Sequence, residues 1–431
     1  MRAPSTPAPL PPSLYADTAV PAPAAAPLQG EQRVPVAIVG GGFTGLSTAL
    51  HLAEHGIMAA LIEASEPGWG ASGRNGGQVN PGLKWDPDQV EADFGPELGG
   101  RMIALSYAAP DLVFDIIRRH QITCEARQQG TLRAAIMLSN AAAAERTAEQ
   151  CIRRGMPVEY LDRAAVAALT GTGRYAGAML DRRGGDLNPL SYARGLARAA
   201  AQLGARIHGG TPALSLTREG ARWRIATPQG SLLAEQVVLA TNGYTGDLWP
   251  GLRRSLVPVF SSIAATAPLP DSVAQAILPL RGSVYESGNI TVYYRLDQGN
   301  RLLMGGRGPQ RPMQDTGPVQ YLMRYAERLW PALKGVAWTH GWNGQLAMTR
   351  DHYPHLHEPA PGLLTALGYN GRGVAMATAM GGQLARRLLG TPVEELDMPV
   401  LPIRPIAFHR FWRLGVMAAV AQGRIRDRLG L

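Results

Sequence analysis

Short β-branched runs alternate along this chain with longer segments that carry one apolar stripe. Residues 34–39 predict a strand that stops at three consecutive glycines, 43–55 predict a helix with small residues on one face, and 59–63 predict a second strand after Gly56. This is a β-α-β unit. Mixed apolar and charged faces predict helices over 101–119, 141–154 and 189–203, and residues 222–226 and 236–240 read as strands. Strand patterns dominate from 256 to 306, notably 290–295 and 301–305, before a helix over 320–330. A strand at 363–367, a glycine-rich turn and a helix over 374–389 then repeat the opening order.

The fold class this implies is α/β, with a Rossmann-like nucleotide-binding body and a second mixed-sheet body inserted into it. The expected division assigns 34–100, 171–250 and 345–395 to the first body and 101–170 and 251–344 to the second. Residues 1–33 are rich in alanine and proline, with prolines spaced too closely for a stable helix, and are expected as a flexible, irregular arm. Residues 396–431 form a tail whose 409–428 stretch reads as an amphipathic helix with clustered arginines, expected to pack, with peripheral membrane contact as the alternative.

With 431 residues, 45% of them hydrophobic and 17% charged, the chain can bury a sizeable core. The formal charge of +9 changes little, because the basic residues are scattered arginines with only two lysines, Lys84 and Lys334; no nucleic-acid partner is expected. Cys124 and Cys151 are too few for a thiolate metal site or a redox pair. No apolar run reaches the roughly 18–20 residues that span a bilayer, and a cytoplasmic location is the default. His352, His355 and His357 beside Asp351 read as a polar loop interrupted by Pro354, and no metal is expected.

The candidate chemistry lies in Gly40-Gly41-Gly42-Phe43-Thr44-Gly45, which satisfies G-x-G-x-x-G between a strand and a helix. Gly40 permits the turn, Gly42 lets a pyrophosphate approach the backbone, Gly45 lets helix and strand pack closely, and the helix start offers free N–H groups to an anion. Glu63, at the end of the second strand, can accept from ribose hydroxyls and argues against a 2′-phosphate. The motif alone leaves NAD and FAD open. A second glycine-rich stretch, Gly70-Ala71-Ser72-Gly73-Arg74-Asn75-Gly76-Gly77-Gln78, offers polar donors and accessible backbone.

Together with Leu239-Ala240-Thr241-Asn242-Gly243-Tyr244 and Gly368-Tyr369-Asn370-Gly371-Arg372-Gly373-Val374, these segments resemble the FAD-dependent amine and amino-acid oxidases of the D-amino-acid oxidase superfamily, over about residues 34–395. The resemblance implies FAD held by Gly40, Gly42, Phe43, Thr44, Gly45 and Glu63, by Ser72, Arg74, Asn75, Gly76, Gly77 and Gln78, by Thr241, Asn242 and Gly243, and by Asn370, Gly371, Arg372, Gly373 and Val374. No histidine or cysteine falls in 68–80 or 366–376, so the FAD is expected to be noncovalent. The implied substrate is a small amine, such as gamma-glutamylputrescine, or an amino acid, such as pipecolate. It is oxidised to an imine and passes its electrons to oxygen or another acceptor. Arg307, Tyr285 and Trp342 are the expected substrate-side residues, with Tyr293 beside them: arginine can bind a carboxylate and an aromatic wall can hold an alkyl amine. His340 stands near the same cleft. Several relatives use a lysine beside the flavin, but Lys84 is expected at the surface.

Overall fold

The computed structural model describes residues 8–288, 291–313 and 315–429, with side chains through 423. Two mixed eight-stranded sheets make the framework. In the first, β1 (Gly30–Val39) pairs in parallel with β2 (Ala59–Ile62) on one side and with the strand Gly230–Leu239 on the other. Arg206–His208 extends the parallel set beyond β2, and Leu363–Leu367 extends it beyond Gly230–Leu239. The inner parts of these strands, residues 36–39, 59–62 and 237–239, are buried on both faces and run continuously apolar, as central parallel strands do.

Helix α2 (Phe43–Glu54) connects β1 to β2 and packs against Pro189–Gln202 and Gly373–Leu388. Ile38, Leu46, Leu50, Leu61, Met376 and Met380 are among the buried residues that join these layers.

The second sheet runs in the order Trp338–Met348, Val257–Thr266, Leu302–Arg307, Tyr293–Leu296, Ser283–Glu286, Thr131–Ala135, Gly177–Asp181, Val158–Asp162. The expected strand 290–295 is therefore shifted to Tyr293–Leu296, and Ile290 lies outside the described residues. A separate core of Leu132, Leu180, Val284, Tyr294, Met304 and Leu322 supports this sheet. A short ladder between Gln78–Val79 and Gly185–Asp186 makes a separate two-stranded sheet after β2.

The chain's division differs from the expected one at two places. Gly177–Asp181 belongs to the second sheet, because this fully buried run pairs antiparallel on both sides with Thr131–Ala135 and Val158–Asp162. The helix expected over 101–119 is the second part of Pro87–Arg119, kinked at Gly95 (φ 77°), and its main packing partner is Gly373–Leu388 in the first core.

The expectation of an irregular arm is also corrected. Prolines exclude a long helix, yet Ser13 caps a short one, α1 (Leu14–Thr18), accepting from Ala16 N–H at 3.1 Å, and Leu14, Tyr15 and Leu28 are buried anchors. The tail helix spans Trp412–Leu429, with Phe411, Leu414 and Met417 exposed. Among the described residues, no helix is long and apolar enough to cross a membrane.

Candidate flavin and substrate site

Where the two sheets meet, a cavity of about 340 Å³ opens between the first turn of α2 and the strands of the second sheet. Gly42, Phe43 and Thr44 form one end of it, and Gly371, Gly373 and Val374 stand beside them at the start of the late helix. The anion end is shaped by backbone. A Cβ on Gly42 would lie 2.9 Å from Ser72 Oγ, and that hydroxyl accepts from Phe43 N–H at 3.0 Å. Behind it, Glu63 accepts from Gly41 N–H at 2.7 Å and from Ser65 N–H at 3.0 Å, one bond on each carboxylate oxygen. Each oxygen keeps a lone pair for a ribose hydroxyl. Burial pushes the Glu63 carboxyl above its ordinary range. A glycine cradle at a helix start, with an acid at the neighbouring strand end, fits the adenosine diphosphate half of FAD.

The loop 70–78 lines the cavity and is cross-linked both within itself and to its surroundings. Asn75 Nδ2 donates to the carbonyls of Ala71 and Ser72 while Gly77 N–H donates to Asn75 Oδ1 at 2.8 Å. Gln78 Nε2 donates to Val284 O at 2.9 Å in the second sheet. Asn370 plays the same part opposite: its Oδ1 accepts from Thr349 N–H at 3.0 Å, and its Nδ2 donates to Gly368 O. These three amides, expected as donors toward the flavin, line the cavity but spend those hydrogen bonds on holding its walls. Asn242 also lines it and accepts from Gly368 N–H at 2.9 Å, joining two flavin-side loops. Gly40, Gly45, Gly77, Thr241 and Gly243 lie behind the lining residues, as turn and packing positions.

Arginines and one lysine supply the charge. Arg74 Nη2 donates to Tyr244 Oη at 2.5 Å, with its guanidinium 4.7 Å from the centre of the Trp69 ring. Arg372 Nη2 donates to Tyr285 Oη at 3.2 Å and stacks on that ring. Arg307, at the end of Leu302–Arg307, makes no hydrogen bond or ion pair through its guanidinium to any described residue, and burial lowers its pKa. Lys84 is exposed, as expected, and also lines the cavity; desolvation by the cavity walls first, then the charges of Arg372, Arg133 and Arg307, bring its pKa down to about 8. Arg133 also lines the cavity but is paired with Asp86 at 2.8 Å. Among the described residues, Arg74, Lys84, Arg307 and Arg372 have no salt-bridging carboxylate.

Tyr285 and Tyr293 stand on the aromatic wall as expected, with the Tyr293 hydroxyl 2.9 Å from Ser261 Oγ. Trp342 does not. It is fully buried, its Nε1 donates to Arg74 O at 3.0 Å, and Tyr15 packs edge-on against it at 5.2 Å. Gly344, Leu346 and Met348 of the same strand do line the cavity, so alternation puts Trp342 on the correct face but under the 70–78 loop. Trp342→Phe is expected to cost about 1–3 kcal/mol of stability by orphaning the Arg74 carbonyl. The substrate KM should stay within about twofold, as substrate does not reach this ring; denaturant titration and steady-state kinetics at saturating FAD check both.

His340 pairs with Asp17 at 2.9 Å, outside the cavity. His355 bonds Asp351 at 3.0 Å, and His357 Nδ1 bonds Leu401 O at 2.6 Å, so these rings are spent locally.

The sequence profile of the FAD dependent oxidoreductase family, DAO, matches residues 35–387. Gamma-glutamylputrescine oxidoreductase of Escherichia coli (strain K12) is 33% identical over 401 residues, 92% of this chain and 93% of that protein. A probable oxidoreductase, OrdL, of Rhizobium meliloti (strain 1021) is 32% identical over 412 residues, 93% of this chain and 94% of that one. Among solved structures, glycine oxidase from Geobacillus kaustophilus superposes with a TM-score of 0.71 at 25% identity, over 87% of this chain and 99% of that chain. The cradle, the acid and the family match converge on one cofactor and one bond type. This chain belongs to the DAO family of FAD-dependent oxidoreductases and is an enzyme that acts on the C–N bonds of amine substrates.

Proposed function

We propose that this enzyme oxidises a primary or secondary amine that also carries a carboxylate, with gamma-glutamylputrescine as the leading substrate. The observation that carries this reading is that four cationic residues, Arg74, Lys84, Arg307 and Arg372, line one cavity and, among the described residues, have no carboxylate partner. A carboxylate is what such a set lacks. A plain diamine, doubly positive near neutral pH, is disfavoured by these four cations, against which the lining sets one carboxyl, Glu286, pushed up to about 7 by burial, whereas gamma-glutamylputrescine brings an amine at one end and a carboxylate at the other. An amino acid such as pipecolate, with both groups on neighbouring atoms, is the second reading, supported by the same cations.

When bound, FAD supplies a two-electron acceptor. The chain's part is electrostatic and geometric. Only the neutral amine can give up a hydride, and the cationic lining favours that form by making an ammonium costly. Tyr285 and Tyr293 flank the alkyl chain, and Arg307 anchors the carboxylate so that the amine-bearing carbon is held in place. Loss of a hydride and a proton leaves an imine, which water converts to an aldehyde and the free amine or ammonia. Oxygen taking the two electrons with two protons gives hydrogen peroxide. The cavity's lining contains neither histidine nor cysteine, which supports noncovalent FAD. A cytoplasmic setting completes the reading, and cell fractionation tests it.

Aldehyde and peroxide released in a one-to-one ratio from gamma-glutamylputrescine in air are the expected products; aldehyde without peroxide would move the enzyme to another acceptor. The low pKa of Lys84 adds a pH signature. Its positive charge is present below about 8 and lost above it. Binding of a carboxylate that lacks an amine, such as glutarate, read from the flavin spectrum, is therefore expected to weaken as pH rises through that value. In Lys84→Arg, which stays charged, that weakening should be absent.

A further inference from the structure

The first 34 residues lie outside the matched family region, yet the described part of them is bound to the very segments that hold the cofactor. Pro9 O accepts from Trp69 Nε1 at 2.9 Å, and Ala8 N–H donates to Ser65 Oγ at 3.2 Å, just beyond Glu63. Farther along, Val20 O accepts from Arg194 Nη1 at 2.6 Å. Leu28 N–H donates to Thr211 Oγ1 at 3.0 Å, and Thr211 N–H in turn donates to Glu63 O at 2.7 Å. The segment thus crosses the first body and returns to the strand end that presents Glu63.

Its centre is Tyr15, fully buried and tied to the 70–78 loop by two routes. Arg295 Nη2 donates to Tyr15 Oη at 3.2 Å, and the same guanidinium donates through Nε to Gly76 O at 2.7 Å. The Tyr15 ring packs on Trp342, whose Nε1 holds Arg74 O. Two carbonyls of one loop, at 74 and 76, are therefore fixed by side chains that Tyr15 fixes. Arg295 is also held by Asp186 at 3.2 Å and by Leu187 O at 3.1 Å, so Tyr15 completes a set of buried contacts that orient the guanidinium toward the loop.

We infer that residues 8–29 are a strap that holds the 70–78 loop and the turn after Glu63 in their FAD-binding shape, with Tyr15 as the positioning residue. The inference rests on FAD occupying the site, which the family assignment gives, and not on the identity of the substrate. A strap of this kind slows cofactor loss without touching the cofactor, since the loop must open for FAD to leave.

The test uses full-length, FAD-loaded Tyr15→Ala and Tyr15→Phe, with Leu322→Ala in the core of the second sheet as a control for general destabilisation. Two quantities are read: the FAD dissociation rate, from recovered flavin fluorescence, and hydrogen exchange of the peptide covering residues 70–79. Tyr15→Ala is expected to speed dissociation at least about tenfold and to raise exchange in that peptide. Tyr15→Phe, which keeps the ring on Trp342 but loses the bond to Arg295, should speed dissociation about threefold. Leu322→Ala should change neither. Unchanged exchange over 70–79 in Tyr15→Ala, or equal loosening in Leu322→Ala, would overturn the strap. If Tyr15→Ala does not fold, Tyr15→Phe decides: dissociation and exchange both equal to the parent protein would overturn it.

Discussion

Arg307→Met is expected to lower kcat/KM for a carboxylated amine on the order of 10²–10³-fold, the loss when one member of a buried charge pair is removed, about 3–4 kcal/mol. The expectation follows from position and from lack of partners. Arg307 ends a strand that packs in the second sheet, lines the cavity beside Ser261, and among the described residues its guanidinium has no hydrogen-bonding acceptor. Most of the effect should fall on KM if the carboxylate is bound equally in ground and transition states, and on kcat if the anchor aligns the reacting carbon. For an amine without a carboxylate the same substitution should change kcat/KM less than about threefold, because the contact it removes is never made. A parallel loss with both substrate types would show that Arg307 supports the cavity and does not recognise the carboxylate.

Gly45→Ala is expected to abolish FAD retention, so that the protein is purified colourless or aggregated. A Cβ at this position would lie 2.1 Å from Gly40 O and 3.2 Å from Ile38 Cγ2, and the first of these is backbone, which cannot swing aside. Helix α2 would have to move off β1, carrying the anion-binding N–H groups with it. Overpacking of this kind commonly costs about 1–3 kcal/mol, and a backbone clash this close lies at or beyond the upper end. Flavin absorbance per protein after gel filtration checks the result. A fully yellow Gly45→Ala protein would mean that the cradle does not depend on this crossing.

What could be read from the sequence, and what could not, divides by the range of the interactions. The β-α-β unit, the glycine turn, Glu63 and the loop at 70–78 were legible because each is decided within a few residues: a strand, a turn that needs small side chains, a helix start. Arg307 could be nominated from the glycine-rich strand end Gly305-Gly306-Arg307-Gly308, and Tyr285 and Tyr293 as aromatic residues able to wall an alkyl amine. Trp342 was not separable from them, because alternation gives the face of a strand but not what covers it, and its cover is Tyr15, more than 300 residues earlier in the chain. Lys84 and Arg133 carried only weak signals. Lys84 follows the second glycine stretch, and Arg133 is a lone charge in the otherwise apolar Thr131–Ala135. Arg133 enters the cavity through long-range pairing, with Thr131–Ala135 lying parallel to Ser283–Glu286. The amino-terminal segment was misjudged because proline spacing speaks against a long helix and says nothing of whether Leu14, Tyr15 and Leu28 find a surface to bury against.

The central claim, a carboxylate-bearing amine oxidised by bound FAD, is tested most directly by mixing the FAD-loaded enzyme anaerobically with gamma-glutamylputrescine, putrescine and pipecolate and following the flavin absorbance. Rapid bleaching by gamma-glutamylputrescine, with putrescine slower by at least about a hundredfold, is the predicted result. Bleaching by putrescine at an equal rate, or by none of the three, would contradict it.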